Sequence, residues 1–214
     1  MVASRPAQDH AALMDRVYRG QRHVYDFTRK YYLFGRDRLI RELDCRPGMS
    51  VLELGCGTGR NLELIARTWP GVQLNGLDIS SEMLKNARKR LGSNGILALG
   101  DATNFERTVL FGREGFDRVV LSYAVSMIPH WQAALAHAAA ALAPGGSLHV
   151  VDFGDGKGLP APLRRLLDGW LAHFHVTRRL DLPEAAEQVA RAENLRLQVQ
   201  RGPLGYYQLV RLTR

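Results

Sequence analysis

The chain has 214 residues, 46% of them hydrophobic, and a formal net charge of +8, which bounds it to one domain of ordinary size able to bury a core. No apolar run reaches about 18 residues, which excludes a membrane-spanning helix, and residues 1–17 mix acids with no apolar stretch, so no secretory signal is expected. Two cysteines, Cys45 and Cys56, are too few for a disulfide framework; we read both as reduced and the compartment as cytosolic, and because no Cys, His and acid cluster has ligand spacing we expect no metal.

The charge is unevenly spread. Residues 1–46 carry ten Lys/Arg against six acids, residues 47–156 nine against ten, and residues 157–214 ten against five. Two basic ends around a near-neutral middle suggest an anionic partner such as a membrane surface, nucleic acid or an acidic substrate, or else simply solvated faces that keep the protein soluble.

In chain order, residues 11–44 come first. Tyr18, Tyr25, Phe27, Tyr31, Tyr32 and Phe34 lie among Arg16, Arg19, Arg22, Arg29, Lys30, Arg36 and Arg38. The spacing predicts one or two helices, with Leu13, Val17, Val24, Phe27 and Tyr31 on one face and Leu39, Ile40 and Leu43 on the helix entering the core. Rings beside cations suit a membrane interface or stacked single-stranded bases; a helix packed on a sheet is the plainer alternative.

Residues 51–61, VLELGCGTGRN, organise the chain. They read as a buried strand, a glycine loop and the start of a helix carrying Leu62, Leu64, Ile65 and Trp69. Such a unit sets free N–H groups and a positive helix end at one spot. The glycines fall at Gly55, Gly57 and Gly59, with Arg60 at the sixth loop position. That departs from the dinucleotide fingerprint, and the P-loop Lys and Ser/Thr are missing too. Residues 76–80 read as a second strand ending in Asp78, at the distance from the loop where an acid reaches a ribose diol. Ser80 or Asp78 is also able to cap the next helix, which contains Met83, Leu84 and Ala87. Residues 97–102 read as a third strand ending at Gly100, Asp101 and Ala102.

The Glu53-x-Gly55-x-Gly57-x-Gly59 pattern resembles motif I of the class I S-adenosylmethionine-dependent methyltransferases. Residues 116–123 resemble that family's fourth strand, and residues 142–152 its helix end and fifth strand. The resemblance implies an α/β, Rossmann-like fold: a mostly parallel seven-stranded sheet with an antiparallel last strand and helices on both faces. It implies S-adenosylmethionine as cofactor, S-adenosylhomocysteine as product, and cofactor contacts from Tyr25, Glu53, Gly55, Cys56, Gly57, Gly59, Asp78, Ile79, Met83, Asp101, Ala102 and Ser122. Asp101 would meet the adenine amino group, and the Ala102 N–H a ring nitrogen.

After the fifth strand, residues 153–160 read as a loop and residues 162–175 as an amphipathic helix. Its stripe is Leu163, Leu166, Leu167, Trp170, Leu171 and Phe174, with Arg164, Arg165 and His173 off it; this is a lid or membrane-facing helix, or else a core helix. Pro183 opens the next helix, with Ala185, Val189 and Ala192 expected inward. Residues 195–200 alternate as a strand, Gly202 and Pro203 turn the chain, and residues 206–212 return antiparallel. The organisation expected is one domain over 1–214, comprising an arm (1–46), a cofactor-binding half (47–153), an insert (154–181) and a last helix with a terminal hairpin (182–214).

A closer resemblance lies in residues 18–37 and 122–129. Both look like the bacterial betaine-lipid N-methyltransferases, which methylate the amino group of diacylglyceryl-homoserine; His130 departs from that family, which favours an acid there. In related lipid and quinone methyltransferases a Tyr-Asp pair helps close the cofactor site, matched here by Tyr25 and Asp26. This implies a lipid substrate at an anionic membrane surface, and an enzyme peripheral to the inner face of the cell membrane. Substrate candidates are Tyr18, Arg22, Arg29, Tyr32, Arg36 and Tyr123: tyrosine faces for the product cation, arginine forks for a carboxylate. Tyr25 and Tyr123 are the candidates for a catalytic role. A phosphatidylethanolamine N-methyltransferase, an RNA methyltransferase and a non-catalytic cofactor-binding module are the alternatives.

Overall fold

The computed structural model describes residues 33–174 and 176–214. The expectations placed on Tyr18, Arg22, Tyr25, Arg29 and Tyr32 lie outside the described residues. Among the described residues seven strands form one sheet: β1 (Ser50–Leu54), β2 (Gln73–Asp78), β3 (Ile96–Leu99), β4 (Phe116–Ser122), β5 (Leu142–Phe153), β6 (Arg196–Arg201) and β7 (Tyr207–Thr213). Their order is β3-β2-β1-β4-β5-β7-β6. The pairs from β3 to β5 are parallel, whereas β7 runs antiparallel to both β5 and β6. β1 is buried at all five positions, because a central parallel strand is covered on both faces.

Among the described residues seven α-helices connect or flank the strands: α1 (Arg36–Arg41), α2 (Arg60–Thr68), α3 (Ser81–Leu91), α4 (Arg107–Phe111), α5 (Trp131–Ala140), α6 (Ala161–His173) and α7 (Leu182–Ala192). Strand alternation divides the core. Leu52, Leu54, Val119, Leu121 and Leu148 face α5, whose Ala134, Leu135 and Ala138 are fully buried; small side chains let that helix lie close to the sheet. Val51, Val120 and Val151 face the other way, against Leu39, Ile40, Leu43, Leu62 and Ile65. Each such leucine or isoleucine contributes about 1.5–3 kcal/mol by leaving water. The expected apolar side of α1 is thus realised, and Trp69 Nε1 ties α2 to it by donating to the Ile40 carbonyl at 2.8 Å.

Some boundaries and burials differ from expectation. The insert helix runs over Ala161–His173, one residue earlier than its apolar series suggests at one end and two at the other. Ala192 is exposed, because α7 turns Leu182, Ala186 and Ala190 inward and ends there. Val199 alternates correctly yet is 41% exposed, since β6 is the edge of the sheet. The order reverses between β1 and β4, with β2 on one side and β5 on the other, and ligands of such sheets sit beyond the strand ends at that switch point.

Candidate functional site

The loop after β1 lies at that point. Gly55 and Cys56 both donate to the Leu77 carbonyl, at 2.8 and 3.0 Å, so the loop hangs from the end of β2. All three of its glycines hold positive φ, which favours glycine there. Gly57 has φ +53° and open space where a Cβ would stand; Gly59 has φ +74°, and a Cβ there would meet Ala87 Cβ at 3.1 Å. Gly57 keeps the loop open to a ligand, and Gly59 lets α2 begin against α3.

Two acids brace the loop, and a third stands at the end of β3. Glu53, only 1% exposed, accepts from Asn61 Nδ2 at 2.6 Å. Asp78 accepts from Gly57 N at 2.7 Å and from Ser80 N at 2.9 Å. The cap of α3 is Ser80, whose hydroxyl accepts from Met83 N at 3.3 Å, so Asp78 is left to the loop. At the end of β3, Asp101 accepts from Thr103 N and Oγ1, at 2.9 and 2.8 Å. Cys56 is a free thiol buried in the loop. Burial above all, then the charges of Asp78 and Glu53, push its thiol well above the ordinary range, so it packs as a small apolar group.

A cleft opens over the loop, lined by Leu33, Arg36, Gly55, Cys56, Gly57, Thr58, Arg60, Asn61 and Ser122. It brings together Gly55, Cys56, Gly57, Arg36 and Ser122 from the expected set. Glu53, Gly59, Asp78, Ile79, Met83, Asp101 and Ala102 do not line it; they lie on β1, in the loop before α2, at the ends of β2 and β3 and on α3. Leu33, Thr58, Arg60 and Asn61 are additions; for the last three, adjacency to the glycines was the available signal.

Arg36 and Ser122 are two of the cleft's five polar side chains, beside Thr58, Arg60 and Asn61. Arg36 is 6% exposed, and its Nε donates to Asp37 Oδ1 at 3.2 Å. It follows Gly35, which holds φ +85° where a Cβ would strike the Tyr207 ring at 2.6 Å. Ser122 is 5% exposed, and its Oγ has no hydrogen-bond partner among the described residues.

Tyr123 departs from the expectation of an open ring or a catalytic hydroxyl. It is 2% exposed, its ring meets Phe153 edge-on at 4.7 Å, and its hydroxyl donates to the Phe34 carbonyl. Burial first, then the Asp152 charge, raise its pKa well above the ordinary tyrosine range. It props the end of β4. Asp152, fully buried, accepts from Ser126 N at 3.0 Å and Phe153 N at 2.8 Å; burial pushes its carboxyl up to about 6.

These residues fit S-adenosylmethionine. Its amino-acid end is a zwitterion, for which the cleft offers the Ser122 hydroxyl and the N-terminal end of α2. The space left by Gly57 admits the ligand, and acids suited to hydroxyl and amino donors stand at the ends of β2 and β3. Among the described residues no cluster of His, Cys, Asp and Glu has the makings of a metal site.

A mostly parallel sheet, a switch-point glycine loop and this donor set define a class I methyltransferase. Residues 51–146 match the family model described as a methyltransferase domain. The chain is 30% identical over 166 residues to a demethylmenaquinone methyltransferase of Tropheryma whipplei, covering 73% of this chain and 66% of that one. It is 30% identical over 164 residues to a phosphatidylethanolamine N-methyltransferase of Cereibacter sphaeroides, covering 72% of this chain and 79% of that one. Its fold superposes, with a TM-score of 0.72 at 15% identity, on Haemonchus contortus phosphoethanolamine N-methyltransferase 2 in complex with S-adenosyl-L-methionine, over all of this chain and 60% of that one. The chain therefore belongs to the class I S-adenosylmethionine-dependent methyltransferases. It spans just under two thirds of the length of the quinone enzyme it matches.

Proposed function

We propose that the chain is an N-methyltransferase that converts the amino group of diacylglyceryl-homoserine to the trimethylated betaine lipid at an anionic membrane surface. The observation that carries this reading is Arg36, a buried guanidinium lining the cleft. A homoserine headgroup holds a carboxylate close to its amine, and a guanidinium fork grips a carboxylate in two places. Support also comes from the likeness to a phosphatidylethanolamine N-methyltransferase, the betaine-lipid resemblance of residues 18–37, and the exposed Leu163 and Leu166 beside Arg164 and Arg165 on α6.

When bound, S-adenosylmethionine supplies a methyl group on a sulfonium, open to in-line displacement by a neutral amine. The chain's part is proximity and desolvation. Arg36 would fix the headgroup, and the poorly hydrated cleft would lower the amine's pKa so that it enters uncharged. The buried, carbonyl-bonded Tyr123 hydroxyl is not a base for that proton. Tyr18, Tyr25 and Tyr32 are left as ring faces for the product cation, worth about 0.5–2 kcal/mol each.

A quinone acceptor is the second reading, favoured by the 30% identity to the demethylmenaquinone enzyme. Mass spectrometry separates the two. The protein is incubated with labelled S-adenosylmethionine and liposomes containing diacylglyceryl-homoserine, phosphatidylethanolamine or demethylmenaquinone. Stepwise methyl gain on the homoserine lipid is expected. Label on one of the other two alone reassigns the acceptor, and label on none overturns the lipid reading.

A further inference from the structure

On the sheet face beneath α1, sharing no lining residue with the cleft, a second recess of about 340 Å³ is lined by Leu39, Glu42, His149, Gln198, Gln200 and Arg211, among others. Register makes it. His149 on β5 pairs with Arg211 on β7, and Arg211 pairs with Gln198 on β6. Directly opposed residues on adjacent strands point to the same face with their Cβ atoms about 5 Å apart. The three side chains therefore stand in a row across three strands.

Arg211 is the anomaly in that row. Its Nε is buried and makes no hydrogen bond, and it takes part in no ion pair among the described residues. Arg118 on neighbouring β4 shows the usual solution: its nitrogens donate to the carbonyls of Leu43, Asp117 and Asp44. A buried donor left without a partner costs about 1–3 kcal/mol, and more when it is charged. Among the described residues no acid pairs with Arg211. His149, 4% exposed and hydrogen-bonded through Nε2 to Ser147 Oγ at 2.9 Å, is held neutral by burial and by the charges of Arg211 and Arg118. The carboxylate on the rim, Glu42, is taken by Arg38 Nε at 2.7 Å. Arg38 Nη2 also donates to Gln200 Oε1, which leaves the Gln200 amide nitrogen free to donate elsewhere.

The recess thus holds an unpaired guanidinium with two amide side chains at its edge and no uncommitted acid. We propose that it is an anion site separate from the methyl-transfer cleft, and that its ligand is a phosphoryl group. A phosphoryl offers three acceptor oxygens to several converging donors, and the planar guanidinium matches two of them. The source is a soluble phosphate or a lipid phosphomonoester.

The test uses the full chain in two arms: calorimetry with inorganic phosphate, and co-sedimentation with phosphatidylcholine vesicles carrying phosphatidic acid. The wild type is expected to bind in at least one arm. Arg211→Gln should weaken that binding tenfold or more, and so should Gln198→Glu, which sets a negative charge at the mouth on an exposed side chain and leaves folding intact. S-adenosylmethionine affinity should stay unchanged in both variants. An effect in the first arm names a soluble ligand, and one confined to the second names a lipid. Absence of wild-type binding in both arms, or variants that bind like the wild type, overturns the site.

Discussion

At the scale of the residue, the glycine loop separates backbone strain from ligand access. Gly57 and Gly112 both sit at positive φ, +53° and +65°, and neither has an atom within 4 Å of where a Cβ would stand. An alanine at either site costs about 1–2 kcal/mol, because a side chain in that region crowds its own carbonyl. Gly112 ends α4, whereas Gly57 lines the cleft. Gly57→Ala and Gly112→Ala should therefore lose similar stability in chemical denaturation. Calorimetry with S-adenosylmethionine should show affinity falling tenfold or more for Gly57→Ala and unchanged for Gly112→Ala. Equal affinity in both variants would detach the cofactor from this loop. The same contrast marks what the sequence made legible. Spacing alone placed Gly55, Gly57 and Gly59, because a tight loop between a strand and a helix is a local requirement. The burial of Tyr123 was hidden, since its hydroxyl finds the carbonyl of Phe34, 89 positions away.

At the scale of the element, α6 shows where periodicity stops being informative. Its apolar series fixes which residues share a face, and the helix forms nearly where expected. Periodicity does not say what covers that face. In the fold the stripe divides: Leu171 is buried and Leu167 and Trp170 are half-buried against the core, but Leu163 and Leu166 are 54% and 71% exposed. Likewise α7 and β6 were identified from pattern, while Ala192 lost its expected burial to a helix end and Val199 is left half open by a sheet edge. If α6 meets the lipid surface, Leu166→Asp should leave stability within about 0.5 kcal/mol, as at other exposed positions. It should weaken co-sedimentation with anionic vesicles by about tenfold, since a leucine side chain entering the interface contributes at least about 1.5 kcal/mol. Unchanged sedimentation would return α6 to a plain solvated helix.

At the scale of the whole molecule, two buried titratable groups on β5 pull the pH dependence of stability in opposite directions. His149 falls from the ordinary 6.5 to about 3, through burial and then the charges of Arg211 and Arg118. Its unfolded form binds the proton that the native form refuses, so its contribution is present above pH 6.5 and lost as the pH falls. Asp152 rises from 3.8 to about 6 through burial. Its native form binds a proton that the unfolded form releases, so stability falls as pH rises between these values and returns on acidification. From pH 7 to 5, His149 alone removes about 2 kcal/mol and Asp152 alone restores about 1 kcal/mol, at 1.36 kcal/mol for each pH unit of unequal proton binding. The wild type should thus weaken only slightly over that span. His149→Gln keeps a polar partner for Ser147 and deletes one of the two opposing groups. Denaturant titrations at pH 7 and pH 5 should show this variant gaining stability on acidification where the wild type loses it. A variant that weakens in parallel with the wild type would mean that His149 already carries its proton in the native state.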